Sequence, residues 1–579
     1  MRRNFTVKNG YKVMLKYVTL HKRKVIVLVL LLILNSFFGT FPLKIIEKLI
    51  DTVEENFTIT CVLVLGGIYF LTQVVWVILG GAVNRLTAKL ETGIGHNIRM
   101  ELYEKILRLP LGYFEKNNSG DIMLRLIQDS EITVEGVLTP IIFLTLNVFQ
   151  FILGFYFISS ISVAVALWMI PIGVLLIFLS LQSGTPIRNL TKKQRDCKEQ
   201  LWNDFQEGIK NIKVLKLLKK EKAYFGKVED SSTALAKESL KLNKYTMLID
   251  RLYSALFMLL IAFIMIYGCV QVKNNELSIG GLSALMMYNG ILIDPMLNFF
   301  DFYQQFQQVS VGVNQISQIL EEKEENPRAE KEQQIRYEKE ILIKNLTFSY
   351  QNKEVLHNIS GKITKGEHIA LVGISGSGKS TLYDILAGFY EINKNQVFID
   401  GKDLMELSIT NLRELIQMVF QDTGIFAGTI RDNLKLFDEQ ITDEEIYDAL
   451  EEVGLKQMVD KLSSGLDTVL SENGENLSGG EKQRLMLARV FLMHRPILIL
   501  DEAFSALDTI TSTYVFKNIL KAYKNDTIII TTHKLEGIVE ECDRVLVFQD
   551  GKIENSGTHK TLLDESELYR KLYYMNGSI

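Results

Sequence analysis

Apolar and polar positions divide this chain into a largely apolar first part and a mixed second part. Uncharged runs long enough to cross a bilayer occur before residue 301, and charged stretches separate them. They predict six membrane-spanning helices. Two of these share one long run with a tight turn near residues 159–162, and the sixth is interrupted by Asp294-Pro295. The runs are 25–43, 57–84, 136–187 (two spans), 252–272 and 277–300.

The charges between the apolar runs indicate how the chain is oriented. Lysine and arginine concentrate in the N-terminal segment and in residues 85–135 and 188–251, whereas the other connections contain few. Because basic loops remain in the cytoplasm, these segments and the C-terminal part are expected there. Residues 85–109 carry apolar side chains at helical spacing, which predicts a helix continuing out of the membrane. A cleaved signal peptide is disfavoured, because the basic lead is long and the first apolar run exceeds a typical signal core.

The remainder of the chain has the pattern of a soluble domain. After a charged linker at 321–340, short apolar strands alternate with helical stretches, which predicts an α/β domain with a largely parallel sheet. Charged residues make up 23% of the 579 positions although the mean hydropathy is positive, as expected for a membrane part joined to a soluble part. The net charge of −4 lacks the excess of positive charge that is typical of nucleic-acid-binding proteins. Four cysteines without metal-site spacing indicate free thiols.

One glycine-rich stretch between a predicted strand and a predicted helix carries the most specific chemistry. It has the spacing G-x-x-x-x-G-K-[ST], whose glycines let backbone N–H groups surround a phosphate chain at a helix N-terminus. Lys379 supplies a cation for the β- and γ-phosphates, and Ser380 a hydroxyl for Mg²⁺. The candidate nucleotide-binding residues here are Gly373, Ser375, Gly376, Ser377, Gly378, Lys379, Ser380 and Thr381.

Polar residues at the ends of other apolar strands extend this candidate site. Asp501 and Glu502 follow four apolar residues, which suits Asp501 to Mg²⁺ binding and Glu502 to polarising an attacking water. Gln421 ends another strand and is a candidate ligand of Mg²⁺ or water. Tyr350 is a candidate for stacking on adenine, and His533 for contacting the γ-phosphate. For Tyr350 and His533 the alternative is a structural role.

A second glycine-bearing helix start lies at Ser478-Gly479-Gly480. It too is suited to an anion. Because one nucleotide needs one phosphate cradle, the second is most simply explained if it serves a nucleotide held by another copy.

Together these segments resemble an ATP-binding cassette (ABC) transporter of the exporter type, a half-transporter. The resemblance implies a transmembrane domain of six helices at 1–320, the linker at 321–340, and a cytosolic α/β P-loop NTPase domain with a helical subdomain at 341–579. It implies ATP and Mg²⁺ as cofactors. The residues matched to family roles are Tyr350 (A-loop), Gly373–Thr381 (Walker A), Gln421 (Q-loop), Ser478, Gly479 and Gly480 (signature), Asp501 and Glu502 (Walker B) and His533 (switch). Lys379, Glu502 and His533 are then catalytic, and Ser380, Gln421 and Asp501 hold the metal. Glu481 departs from the family pattern, which more often has glutamine there.

The resemblance implies ATP-driven efflux of an amphipathic or hydrophobic peptide, lipid or drug across the cytoplasmic membrane by alternating access. The expected partners are a second half-transporter, the lipid bilayer and the substrate, with no nucleic acid. Two alternatives remain open: a membrane-anchored ATPase with a sensing role, and an importer of a metal chelate built on the exporter fold. Asp294 is the candidate substrate contact, because ionisable groups at bilayer depth are usually functional. Its alternative is a helix-end residue.

Overall fold

The computed structural model of the protein falls into two compact units. One comprises Met1–Leu107 and Asn118–Glu322, and the other Arg108–Asn117 and Lys323–Ile579. The residues described are 16–55, 58–117, 119–325, 336–350, 353–421, 424–436, 438–532 and 535–576. Of the sequence-predicted site residues, His533 lies outside this part, and so does the side chain of Asp294.

Helices make up the described part of the first unit. Their bounds are α1 (Lys22–Thr40), α2 (Pro42–Glu55), α3 (Ile59–Leu107), α5 (Ser119–Leu124), α6 (Ser130–Ile161), α7 (Val163–Lys210), α8 (Ile212–Leu217), α9 (Glu221–Lys273) and α10 (Ile279–Glu321), with one π-helical turn at Arg125–Asp129. The helix α4 (Leu111–Lys116) belongs to the second unit. Helix α3 has 49 residues, roughly 74 Å of rise against a bilayer core of about 30 Å, so it extends well beyond the membrane as predicted.

Six of these helices, α1, α3, α6, α7, α9 and α10, are long elements of 19 to 53 residues among the described residues. Four stretches meet the length and composition of a membrane span: Lys22–Glu54, Ile59–Leu107, Gly120–Ile161 and Glu221–Lys273. Shorter apolar stretches, Val163–Leu175 and Ile279–Leu292, lie in α7 and α10. The arrangement agrees with the predicted helical membrane domain.

Two connections in this unit show how local sequence shapes the bundle. The predicted turn near 159–162 is a single residue, Ser162, whose hydroxyl accepts the Val165 N–H and caps α7. The predicted interruption at Asp294-Pro295 is wrong, because α10 continues through it with Pro295 buried. Packed neighbouring helices accommodate a proline inside a membrane helix, since they compensate for the lost backbone hydrogen bond.

The start of α10 is held by an acid from another helix. Asp51 on α2 accepts the Gly280 N–H through Oδ1 (2.9 Å) and the Ser278 hydroxyl through Oδ2 (3.1 Å). A Cβ at Gly280 would lie 2.3 Å from Asp51 Oδ1, so only glycine permits this approach. The carboxylate therefore satisfies free N–H groups at a helix N-terminus, where negative charge is favoured.

The second unit is an α/β domain. Its strands are β1 (Glu340–Tyr350), β2 (Lys353–Thr364), β3 (His368–Gly373), β4 (Val397–Ile399), β5 (Lys402–Asp403), β6 (Ile416–Val419), β7 (Gly428–Thr429), β8 (Val469–Leu470), β9 (Ile497–Asp501), β10 (Thr527–Thr531), β11 (Arg544–Gln549) and β12 (Lys552–Gly557). Its helices after α4 are α11 (Lys379–Leu386), α12 (Ile409–Leu415), α13 (Ile430–Lys435), α14 (Asp443–Glu452), α15 (Lys456–Lys461), α16 (Gly479–Leu492), α17 (Thr509–Ala522), α18 (His559–Glu565) and α19 (Glu567–Asn576).

A six-stranded sheet in the order β12-β11-β3-β10-β9-β6 forms the centre of this unit. All neighbouring pairs are parallel except β11 with the edge strand β12. Leu498 and Leu500 of β9 pack into one apolar core, and Ile497 and Ile499 into the other, because alternate side chains point to opposite faces. The sheet is covered on both faces, as expected for parallel strands. A separate antiparallel sheet has the order β2-β1-β4-β5.

Candidate functional site

The glycine-rich stretch forms a tight loop between β3 and α11. Gly376 and Gly378 have φ angles of +80° and +99°, a backbone region that other residues rarely adopt. A Cβ at Gly378 would lie 2.6 Å from Leu356 Cδ2, and one at Gly373 would lie 2.3 Å from the Phe548 carbonyl oxygen. The loop therefore needs glycine for both conformation and space. Ser375 is exposed, and Ser377 is buried beneath the loop.

Lys379, the first residue of α11, folds back over this loop. Its Nζ donates to the carbonyl oxygens of Gly373 (2.8 Å) and Ile374 (3.0 Å). Burial lowers the pKa of Lys379, while the nearby carboxylates of Glu502 and Asp501 oppose this shift. The ammonium group is thus held by neutral carbonyls and is available to a stronger anionic partner.

The polar ends of neighbouring strands meet beside the loop, because β3, β10, β9 and β6 are adjacent and parallel. Asp501, at the end of β9, accepts the Thr531 hydroxyl at 2.8 Å through Oδ1. Gln421 follows β6 and donates from Nε2 to Glu502 Oε2 at 2.9 Å. The structure therefore brings together the predicted Gln421, Asp501 and Glu502. It adds Thr531, whose only signal in the sequence is its position at the end of an apolar strand.

Glu502 has an unusual backbone conformation with φ at +47°. Its N–H donates to the Thr531 carbonyl oxygen at 3.0 Å, which holds the residue in place across the sheet. A left-handed backbone conformation costs of order 1–2 kcal/mol at a residue that carries a side chain. Strain of this kind is concentrated at functional sites, where surrounding contacts maintain it.

Helix α11 also places a tyrosine next to the candidate metal ligands. Tyr383 is 1% exposed, and its hydroxyl has no hydrogen-bond partner among the residues that the structure describes. Burial raises the pKa of this phenol, and the Asp501 carboxylate raises it further, whereas the Ser380 hydroxyl lowers it. The Tyr383 hydroxyl is therefore a protonated donor close to both Asp501 and Ser380.

Tyr350 is the last residue of β1 and lies next to Thr381 in the first turn of α11. Its hydroxyl donates to Thr381 Oγ1 at 3.3 Å, and its ring packs edge-on against Tyr390 with centroids 5.2 Å apart. The aromatic residue predicted to stack on adenine is therefore next to the phosphate loop. Phe348 completes this aromatic group, with its centroid 5.1 Å from that of Tyr350.

The second glycine-bearing helix start is closed by its own glutamate. Glu481 Oε2 accepts the N–H and the hydroxyl of Ser478 at 2.8 and 2.7 Å, while the Ser478 hydroxyl accepts the Glu481 N–H. This is a capping box, and the Ser478 interactions lower the pKa of Glu481. Among the described residues, hydrogen bonds link the Ser478 end of α16 to Glu481 and not to the phosphate loop. The S-x-x-E spacing carried this signal in the sequence.

Two buried residues on α16 connect that helix to the candidate site, and sequence reasoning missed both. Gln483 donates to the Ser505 hydroxyl and accepts the Ala506 N–H, each at 2.7 Å. Arg489 donates to the carbonyl oxygens of Asn433 (2.8 Å) and Gly424 (3.2 Å). Burial lowers the pKa of Arg489 to about 10. The helix is thus joined to the segment after Glu502 and to the segment after Gln421.

Residues 108–117 complete this unit although they lie more than two hundred positions earlier in the chain than the rest of it. Glu115 on α4 accepts a hydrogen bond from the Tyr390 hydroxyl. The Glu325 N–H donates to the Arg108 carbonyl oxygen at 2.8 Å, and the Glu325 carboxylate receives two hydrogen bonds from Arg413. Tyr390 therefore connects Glu115 to Tyr350, since it contacts both residues.

This geometry fits a magnesium–nucleotide complex. The positive-φ glycines form a cradle of backbone N–H groups that a Cβ would fill, and a buried cation lies at its edge. Ser380 and Asp501 supply oxygen donors of the type that Mg²⁺ prefers, and both lie close enough to the Tyr383 hydroxyl to affect its pKa.

Comparisons with known proteins agree with this geometry. The profile of the ABC transporter transmembrane region matches residues 25–296, and that of the ABC transporter domain matches residues 356–505. The chain is 27% identical over 555 residues to the ATP-dependent lipid A-core flippase of Escherichia coli K12, covering 94% of each chain. The flippase of the same name from Shigella flexneri gives the same values. A solved bacterial Atm1-family ABC exporter with ATP bound has the same fold, with a TM-score of 0.87, 21% identity, and coverage of 97% of this chain and 100% of that one.

Proposed function

Since this chain belongs to the ABC transporter family, as a half-transporter with a transmembrane region followed by an ATP-hydrolysing domain, we propose that it exports an amphipathic or hydrophobic substrate, and that a lipid is the first candidate. The observation that carries the proposal is the meeting of Gln421, Asp501 and Glu502 beside the glycine loop, on a chain whose described residues include six long helices. The lipid is favoured over a peptide or drug because the flippase named above aligns with 94% of this chain.

In the proposed site, the loop N–H groups bind the phosphate chain of ATP and Lys379 exchanges its carbonyl partners for the terminal phosphates. Ser380, Asp501 and Gln421 would hold Mg²⁺, which supplies positive charge to the phosphate oxygens when bound. Glu502 orients the attacking water and accepts its proton, and the Gln421 amide fixes the orientation of the Glu502 carboxylate. Thr531 fixes that of Asp501. His533 is proposed to contact the γ-phosphate.

A second subunit, identical or related, is needed to complete each site. Ser478, Gly479 and Gly480 are proposed to bind the γ-phosphate of ATP held by the partner. In the first unit, α8 supports an interaction with a partner, because it is rich in lysine yet exposes Val214 and Leu217, the latter 82% exposed. ATP would favour closure of the two domains, and hydrolysis would remove the contacts that differ between the two states.

Movement would reach the membrane helices through the chain itself. Helix α3 ends at Leu107, and the next residues belong to the ATP-binding unit. The ATP-binding domain is proposed to lie in the cytoplasm, as the distribution of lysine and arginine favours. The helices would then alternate between inward- and outward-facing arrangements.

The test is reconstitution of the full-length protein, with any partner it needs, into vesicles carrying a fluorescent lipid. We expect ATP-dependent movement of the lipid between leaflets. Glu502→Gln should retain ATP binding and lower turnover at least about a hundredfold, since a general base contributes 10²–10⁴-fold. Lys379→Ala should lose ATP binding, because the main phosphate cation is gone.

Two results would contradict the proposal. Undiminished hydrolysis by Glu502→Gln would remove the role assigned to Glu502. Hydrolysis by the parent without movement of any lipid, peptide or drug tested would favour the anchored regulatory ATPase instead.

A further inference from the structure

The buried hydroxyl of Tyr383 has no partner, although it lies in a well-packed core. The Tyr383 side chain is 1% exposed, and its hydroxyl makes no hydrogen bond to any described residue. An unsatisfied buried hydroxyl costs roughly 1–3 kcal/mol, so such groups normally have a partner or a function. The apolar neighbours would accept phenylalanine equally well, which leaves the oxygen itself to be explained.

Helix geometry aims this hydroxyl at the candidate metal site. Tyr383 lies three residues after Ser380 on α11, so the two share one face of the helix. Long helical side chains lean over the preceding turn, which here contains Ser380. Asp501 and Ser380 both affect the pKa of the phenol through side-chain interactions, which agrees with this helix geometry.

The first carboxylate oxygen of Asp501 is already engaged by Thr531, at 2.8 Å. The Tyr383 hydroxyl lies close to Asp501 and Ser380, but its geometry meets the requirements of a hydrogen bond with neither, so a bridging water would supply the partner that it lacks. Protein-bound Mg²⁺ usually retains several of its waters, and these need hydrogen-bond acceptors or donors around them. The Tyr383 hydroxyl lies near both candidate ligands, Ser380 and Asp501, and is therefore placed to hydrogen-bond to a water bound to the metal.

We propose that Tyr383 is a positioning residue of the metal–nucleotide site, whose hydroxyl hydrogen-bonds to a water molecule of the hydrated Mg²⁺ held by Ser380 and Asp501. This inference rests on the proposed ATP-binding function and adds one residue to it. The hydroxyl gains its missing partner only when the metal is bound, so its effect should depend on metal.

The test is Tyr383→Phe in the full-length protein on a Glu502→Gln background, so that ATP stays intact. Mn²⁺ replaces Mg²⁺ as the probe, and free Mn²⁺ is measured by electron paramagnetic resonance in the presence of ATP. We expect the dissociation constant of Mn²⁺ to rise about tenfold, the lower end of the range for residues that support metal ligands. Thermal unfolding without metal and nucleotide should be unchanged or shifted upward, since the variant removes an unsatisfied group.

Tyr569→Phe is the matched control. Tyr569 is also fully buried in this unit, but its hydroxyl already has a partner, His559 Nδ1, at 2.8 Å. It should lower thermal stability and leave Mn²⁺ binding as in the parent.

Three results would overturn the inference. A Mn²⁺ dissociation constant within twofold of the parent would exclude a role at the metal. A loss of metal-free stability as large as that of Tyr569→Phe would show a structural role. Failure of the parent itself to bind Mn²⁺ with ATP would instead overturn the proposed nucleotide site, and this inference with it.

Discussion

Replacing Tyr390 with phenylalanine removes one hydrogen bond, that between its hydroxyl and the Glu115 carboxylate. The bond joins α4, which continues from a membrane helix, to a ring that contacts Tyr350 in the candidate nucleotide site. If this contact transmits movement, its loss should weaken the coupling between hydrolysis and transport.

The magnitude follows from the surroundings of the bond. A hydrogen bond to a charged group contributes about 1.5–3 kcal/mol when buried. Glu115 is exposed, and exposed ionic interactions fall to about 1 kcal/mol or less. A difference of about 1 kcal/mol corresponds to roughly a fivefold change in an equilibrium. We therefore expect the number of substrate molecules moved per ATP to fall about fivefold in Tyr390→Phe.

The assay measures lipid movement and phosphate release in the same vesicles. Glu115→Gln should have a similar effect, and the double variant should be little worse than either single one, because both remove the same bond. Tyr573→Phe is the matched control, since it loses a Tyr–Glu hydrogen bond, to Glu540, elsewhere in the unit. Fully additive effects, or an unchanged ratio in Tyr390→Phe, would refute the reasoning.

Two further predictions concern carboxylates outside the catalytic group. Burial, together with Asp501 and Glu115, raises the pKa of Asp384 to about 6. The folded state therefore binds a proton that the unfolded state releases near pH 4, and stability falls as pH rises between these values. Asp384→Asn should stabilise the nucleotide-free protein by about 1 kcal/mol or more above pH 6, after allowance for partial exposure. Thermal unfolding of the variant and the parent at pH 7.5 and 4.5 should show a smaller gain in stability at the lower pH. An equal gain at both pH values would contradict this prediction. Asp51→Ala should remove the acceptor of the Gly280 N–H at the start of α10, at a cost of about 1 kcal/mol. The loss should be seen as faster hydrogen exchange in residues 279–283; unchanged exchange there would show that the Ser278 hydroxyl, which accepts the Gly281 N–H, holds the helix start by itself.

Local patterns in the sequence predicted the parts of the site that depend on local structure. The strand before Gly373, the strand before Asp501 and the helix after Lys379 each follow from a short apolar run next to a specific turn. Their meeting also follows, since parallel strands bring their carboxyl ends to one edge. The assigned catalytic and ligand roles stay predictions, because geometry alone does not measure them.

What the sequence could not predict depends on contacts between distant segments. Glu115 and Tyr390 are separated by 275 positions, and neither carries a motif. Thr531 reaches Asp501 only because β10 lies beside β9, an order that hydrophobic periodicity does not specify. The interruption expected at Pro295 failed for a related reason, since packing of the surrounding helices overrides the local preference. In contrast, the Ser478–Glu481 capping box was present in the spacing and was overlooked.

Residues 108–117 have a consequence for how the ATP-binding unit is prepared as a fragment. Leu109 in this segment is only 4% exposed, and the Arg108 carbonyl oxygen bonds to the Glu325 N–H. A recombinant piece starting at Lys323 would lack these ten residues and would leave the Glu325 N–H without its Arg108 acceptor, and a synthetic peptide of residues 108–117 could be added to restore them. Excision by sequence position alone thus yields a truncated body rather than an autonomous one.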